Sequence, residues 1–224
     1  MGASAVAGGS SEGAAERREI YPLENLRQLA LADPRAWLIT SVRYFQGLGF
    51  FAGYLDLADD ALPGAIGEAV RWHWDGPLPP GEVARDIQLA DMLLLLGDRR
   101  RVWWRDLEGV FAGEDAYVTT LTEWAAISRG AFAPEEIVER WHSEEGPADI
   151  EFVLGGRRHL VTHPNVRDDF LNIRVISDIN RLIGDSGYHF AVCDNLGMPN
   201  WVVALTREEE DRLRRERGWS FLTL

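Results

Sequence analysis

Few residues in this chain have the types and spacing for chemistry. His159, His163, Asp168 and Asp169 fall within eleven residues of one another. Imidazole and carboxylate together are the donor set of a zinc or manganese site, and would suit a metal-assisted hydrolase or lyase. On a strand, positions 159 and 163 share a face but stand about 13 Å apart, too far for one ion unless the strand bends. The His-Glu-x-x-His pattern is also missing. The expectation is therefore no metal site, with Asp168 or Asp169 capping a following helix. The one cysteine, Cys193, ends the apolar run Phe190-Ala191-Val192-Cys193, where a buried side chain is expected and not a thiolate. All 23 basic residues are arginine, so Schiff-base and P-loop lysine chemistry are excluded. Neither a Gly-x-Ser-x-Gly elbow nor a dinucleotide fingerprint is present. No catalytic residue and no cofactor is assigned.

Charge is the stronger signal. The 224 residues carry a net charge of -13, which argues against nucleic acid as a partner. Arg99-Arg100-Arg101 beside Trp103-Trp104-Arg105 is one short cluster that could stack on bases; it reads better as a counter-patch to acidic neighbours. From Glu114 to Glu151, ten acids meet only Arg129 and Arg140, net -8. Within it, Glu135, Glu136, Glu139, Glu144 and Glu145 surround Trp141. Exposed carboxylates of this density steer a basic protein partner, and an aromatic among them can anchor it. These six residues are the expected partner-binding site. The competing expectation is a face that only keeps the protein soluble.

The elements that would hold these residues follow from pattern. Residues 1–19 are rich in Gly, Ser and Ala and lack the apolar segment of a signal peptide, so a disordered tail and a cytoplasmic protein are expected. Residues 20–146 read as mainly helical. Asp33-Pro34 is a helix start. Helices are expected over 61–74, over 82–96 and over 99–111, from Asp115 to Gly130, and from Pro134 through Trp141. Residues 147–224 read as ββαββα: a hairpin about Gly155-Gly156, an amphipathic helix from Phe170 to Ile183, strands at 188–193 and 201–205, and a last helix from Thr206 with Glu209 in the capping-box position. Asn172, Asp178 and Asn180 on that middle helix are expected to be polar-face or capping residues, or else a polar network fixing the next strand. The expected class is α+β, a helical N-terminal half packed on a C-terminal antiparallel layer, in one compact unit. No apolar run reaches the length of a membrane span.

The stretch Asp178-Ile179-Asn180-Arg181-Leu182, then Gly187-Tyr188-His189-Phe190, Val202-Val203-Ala204-Leu205-Thr206 and Trp219 resembles the ends of small bacterial α+β proteins. With the acidic character, the chain resembles immunity proteins of bacterial toxin–immunity systems. That resemblance implies a non-enzymatic inhibitor of a basic toxin enzyme such as a nuclease. It fixes no functional residue. A structural or assembly subunit, using its tryptophans as interface anchors, is the remaining alternative.

Overall fold

The computed structural model describes residues 23–70, 80–105, 107, 110–144, 146–163, 171–194 and 201–224. Among these the elements run α1 (Leu23–Ala32), α2 (Pro34–Gln46), α3 (Leu62–Val70), α4 (Pro80–Arg85), α5 (Ile87–Leu95), β1 (Val102–Trp104), α6 (Ala116–Ile127), β2 (Glu135–Trp141), β3 (Ala148–Leu154), β4 (Arg157–His163), α7 (Val175–Leu182), β5 (His189–Val192), β6 (Trp201–Leu205) and α8 (Arg207–Arg217). The class is α+β, with N-terminal helices followed by C-terminal strands.

Several boundaries follow directly from local chemistry. Asp33 accepts a hydrogen bond from the Ala36 amide at 2.9 Å and Pro34 opens α2, because proline has no amide to leave unsatisfied there. Thr206 and Glu209 close a full capping box on α8. Its C-terminal glycine, Gly218, has φ +69°, and a Cβ there would sit 2.9 Å from Leu23 Cδ1; the position needs glycine for both reasons. Gly155 and Gly156 both have positive φ, the geometry of the tight hairpin turn that joins β3 to β4.

The strands form two three-stranded antiparallel sheets, β1-β6-β5 and β2-β3-β4. The two C-terminal hairpins therefore lie in different sheets, each completed by a strand from the part of the chain before residue 147. β1 pairs with β6, Val102 opposite Val203. β2 pairs with β3, Trp141 opposite Ala148 and Glu139 opposite Ile150.

The β1-β6-β5 sheet is buried on both faces. Every residue of β6 is buried, and alternate side chains enter different cores. Trp201, Val203 and Leu205 join Val102, Phe45, Ile66, Leu95 and Leu213 on the side of α1–α5 and α8. Val202 and Ala204 join Trp103, Trp124, Ile179 and Phe152 on the side of α6 and α7. α6 touches β1, β6 and β2, and α7 touches β4 and β5, so these two helices lie between the sheets. A continuous apolar β6 is what a strand with two buried faces requires.

Four expectations change. Residues 135–141 form strand β2, not a helix. Within 99–111 the described residues contain β1 and no helix. The helix expected over 82–96 is broken at Asp86, whose side chain accepts from the Leu89 amide at 2.9 Å and starts α5 afresh. α6 begins after Asp115 as expected, but Asp115 has φ +51° and its side chain makes no cap bond.

Candidate partner-binding face

The β2-β3-β4 sheet packs one face on α6 and α7 and leaves the other open. On β3, Ala148, Ile150 and Phe152 are buried while Asp149, Glu151 and Val153 are not. Register then assigns the outer face: Val138 and Arg140 on β2, and Arg158, Leu160 and Thr162 on β4. Leu160 is 61% exposed and Val138 39%.

The expected site residues separate into three kinds. Glu139 points inward. Its Oε2 accepts the Tyr117 and Val118 amides at 2.7 and 3.4 Å, and its Oε1 accepts the Trp141 indole N–H at 2.8 Å. It is the N-terminal cap of α6, supplied from a neighbouring strand because Asp115 supplies none, and its charge suits the positive end of that helix. Trp141 is half-buried on the same side, 5.9 Å from the Tyr117 ring. Glu136 lies on the outer face and pairs with Arg158 at 2.9 Å. Glu135 and Glu144 are exposed, with no ion pair among the described residues. Glu145 lies outside the described residues.

Arginines from adjacent strands neutralise the middle of the outer face. Glu151 binds Arg140 at 2.7 Å and also Arg158; these two guanidinium bonds hold its carboxyl below the ordinary range. Asp149 accepts Thr162 Oγ1 at 2.7 Å and meets His142 Nε2 at 2.9 Å, and the Thr162 and His142 hydrogen bonds likewise hold it low. Aspartate thus bridges threonine and histidine, one on each carboxylate oxygen.

Unpaired acid collects instead at one end of the sheet. The Ala112 amide donates to the Glu144 carbonyl at 3.2 Å, which brings the 111–115 loop against the turn after β2. Phe111, Glu114, Asp115 and Glu144 are all exposed there, and the three carboxylates have no cationic partner among the described residues. Sequence reasoning missed Phe111; a lone aromatic flanked by Ala112-Gly113-Glu114-Asp115 is the signal that marks it.

The other sequence candidates are placed as follows. The His159 ring stacks on Phe152 at 5.7 Å. Asp168, Asp169 and the His163 side chain lie outside the described residues. Among the described residues no group of three or more His, Cys, Asp or Glu is placed to hold a metal. Cys193 is fully buried, which pushes its thiol pKa far up. The Arg99–Arg105 cluster does not share one surface. Arg101 is buried over the Phe50 ring at 4.3 Å and donates to the Gly49 carbonyl at 2.7 Å. The Trp103 indole donates to Glu123 at 2.7 Å, and Arg105 pairs with that same carboxylate. Asn172 Oδ1 accepts the Arg174 amide just before α7, Asp178 pairs with Arg181, and Asn180 bonds both backbone groups of Phe190 in β5; of the three, Asn180 fixes the next strand.

A buried ion pair ties the two ends of the helical side together. Arg217, 2% exposed at its side chain, binds fully buried Asp91 through Nε at 2.8 Å and through Nη2. Nη2 also reaches Ser41 Oγ at 2.9 Å, and the Trp219 indole donates to Asp91 at 3.2 Å. Burial pushes the Asp91 carboxyl upward against the pull of Arg217. Asp91 alone in the apolar run Leu89-Ala90-Asp91-Met92-Leu93 is the visible trace of this pair in the sequence. No helix among the described residues is long and apolar enough to cross a membrane. Comparison with family models, with curated proteins and with solved structures finds no match to this chain.

Proposed function

We propose that this protein is a non-enzymatic binding protein of the bacterial cytoplasm, an immunity-type inhibitor that neutralises a basic toxin enzyme such as a nuclease. The observation that carries the reading is the rim of Glu114, Asp115 and Glu144 around exposed Phe111. Among the described residues these carboxylates have no cationic partner, in contrast to Glu136 and Glu151, while Glu139 is taken up by the α6 amides. A basic substrate groove would gain three charge-assisted contacts there, and Phe111 would supply the apolar anchor that charge alone does not. The net charge of -13 adds long-range attraction to the same kind of partner.

The experiment is co-expression with the product of the neighbouring gene, followed by purified binding kinetics. The expected result is rescue from toxicity by the wild type. A Glu114→Gln, Asp115→Asn, Glu144→Gln, Phe111→Ala variant should fold normally and fail to rescue. The wild-type association rate should fall as salt rises, since screening shortens to about 8 Å at physiological ionic strength. Full rescue by the quadruple variant, or a salt-insensitive rate, would refute the reading.

A further inference from the structure

The two sheets present four edges, and three are protected. On β5, the Asn180 side chain donates to the Phe190 carbonyl at 2.8 Å and accepts its amide at 2.7 Å, while Leu222 N donates to the Val192 carbonyl at 2.8 Å. β1 is three residues long. β2 follows Pro134 and is bulged between Glu135 and Val138, with Glu136 at φ +50°. Bulges, prolines, short strands and covering groups are the devices by which proteins blunt a sheet edge.

Among the described residues β4 has no bulge and no covering group. It pairs with β3 in unbroken register over seven residues, Arg157–His163. It contains no proline. Among the described residues no hydrogen bond reaches its outward edge. Leu160, at its centre, is the most exposed large apolar side chain among the described residues.

We propose that β4 pairs antiparallel with β4 of a second copy of this chain, about a two-fold axis at Leu160, making one six-stranded sheet. The two-residue turn makes Leu154 and Arg157 the closing hydrogen-bonded pair. Hydrogen-bonding direction alternates along an antiparallel strand, so Arg158, Leu160 and Thr162 turn their N–H and C=O groups outward. Centring the pair on Leu160 sets Leu160 against its own counterpart and Arg158 against Thr162 of the second copy. All three positions then exchange both bonds, about six hydrogen bonds in total, and none of the outward groups is left over.

Side chains agree with this register. The two Leu160 side chains cover each other on the outer face. Each Arg158 arrives beside Thr162 of the second copy, whose hydroxyl is bonded to Asp149, so guanidinium meets a carboxylate system. The two Arg158 residues stay about 13 Å apart. β2 is the opposite edge of this sheet, so the acidic rim beside β2 and the self-pairing edge are separate surfaces. A closed two-fold contact also removes the exposed edge as a template for further growth.

The test uses the full chain with a Leu160→Cys substitution and an added thiol oxidant. Across a hydrogen-bonded pair the Cα atoms are about 5.5 Å apart, inside the span of a disulfide. Rapid covalent dimer is expected for Leu160→Cys and not for Arg158→Cys, and buried Cys193 contributes no background. In sedimentation the wild type should have about twice the 25.2 kDa chain mass and Leu160→Lys the single mass, with unchanged circular dichroism. Were Leu160→Lys to misfold, the cysteine pair would still decide. A wild type of single-chain mass at high micromolar concentration, or equal cross-linking at 158 and 160, would overturn the proposal.

Discussion

Replacing Glu139 with alanine removes three acceptor contacts at once: two amides in the first turn of α6 and the Trp141 indole. Loss of a helix N-cap costs about 1 kcal/mol, with a range of about 0.5–2. The carboxylate is charged and faces the helix dipole, which adds about 0.3–1 kcal/mol. The orphaned, half-buried indole N–H adds about 1 kcal/mol more. The expected destabilisation is therefore about 2–3 kcal/mol, or roughly 4–12 °C in Tm for a domain of this size. Glu144→Ala is the control, an exposed acid in the same segment without these bonds, expected within about 0.5 kcal/mol of wild type. Glu139→Gln should fall between the two, keeping an acceptor and losing the charge. Urea unfolding followed by tryptophan fluorescence reads all three. If Glu139→Ala unfolds with Glu144→Ala, the cap assignment is wrong and Glu139 is a free surface acid after all.

Arg217→Met should destabilise the fold by about 3–5 kcal/mol, because it strands a buried Asp91 carboxylate; a double change with Asp91→Leu should recover much of that loss in the same unfolding assay. The Asp149 carboxyl should titrate below its ordinary value in a side-chain NMR titration, since hydrogen bonds from Thr162 and His142 hold it low. A lowered folded pKa means that the stabilisation is complete above the unfolded value and is lost as pH falls through the folded one. Thr162→Val should move the midpoint back up, and an unmoved midpoint would refute the cause.

The sequence announced elements whose ends carry their own chemistry. Asp33-Pro34, Thr206 with Glu209, and Gly155-Gly156 are each complete local signals, and each lies where expected. β2 was hidden by its function in the fold. Pro134-Glu135-Glu136 imitates the acidic first turn of a helix, and the inward slot that should have held an apolar residue holds Glu139. The apolar alternation of Ile137 and Trp141 is interrupted by the cap of another element, which no local window contains. The candidate face was legible only as net charge. Whether an acid is spent internally depends on Arg140 and Arg158, one of them beyond the stretch whose charge was counted and both brought near Glu151 by strand register.

Both cores are closed by β6, the central strand of its sheet, and its last residue is Leu205. Its partner β1 ends about a hundred residues earlier, at Trp104. At translation rates of about 5–20 residues per second, β1 waits roughly 5–20 s for its neighbour to be synthesised. Through much of that interval the apolar residues of α2 and α5 that share a core with β6 have no sheet to cover. The nascent chain therefore completes neither core until β6 has been made, and a ribosome stalled before Trp201 would carry a polypeptide with two open hydrophobic surfaces and a strong demand for chaperones.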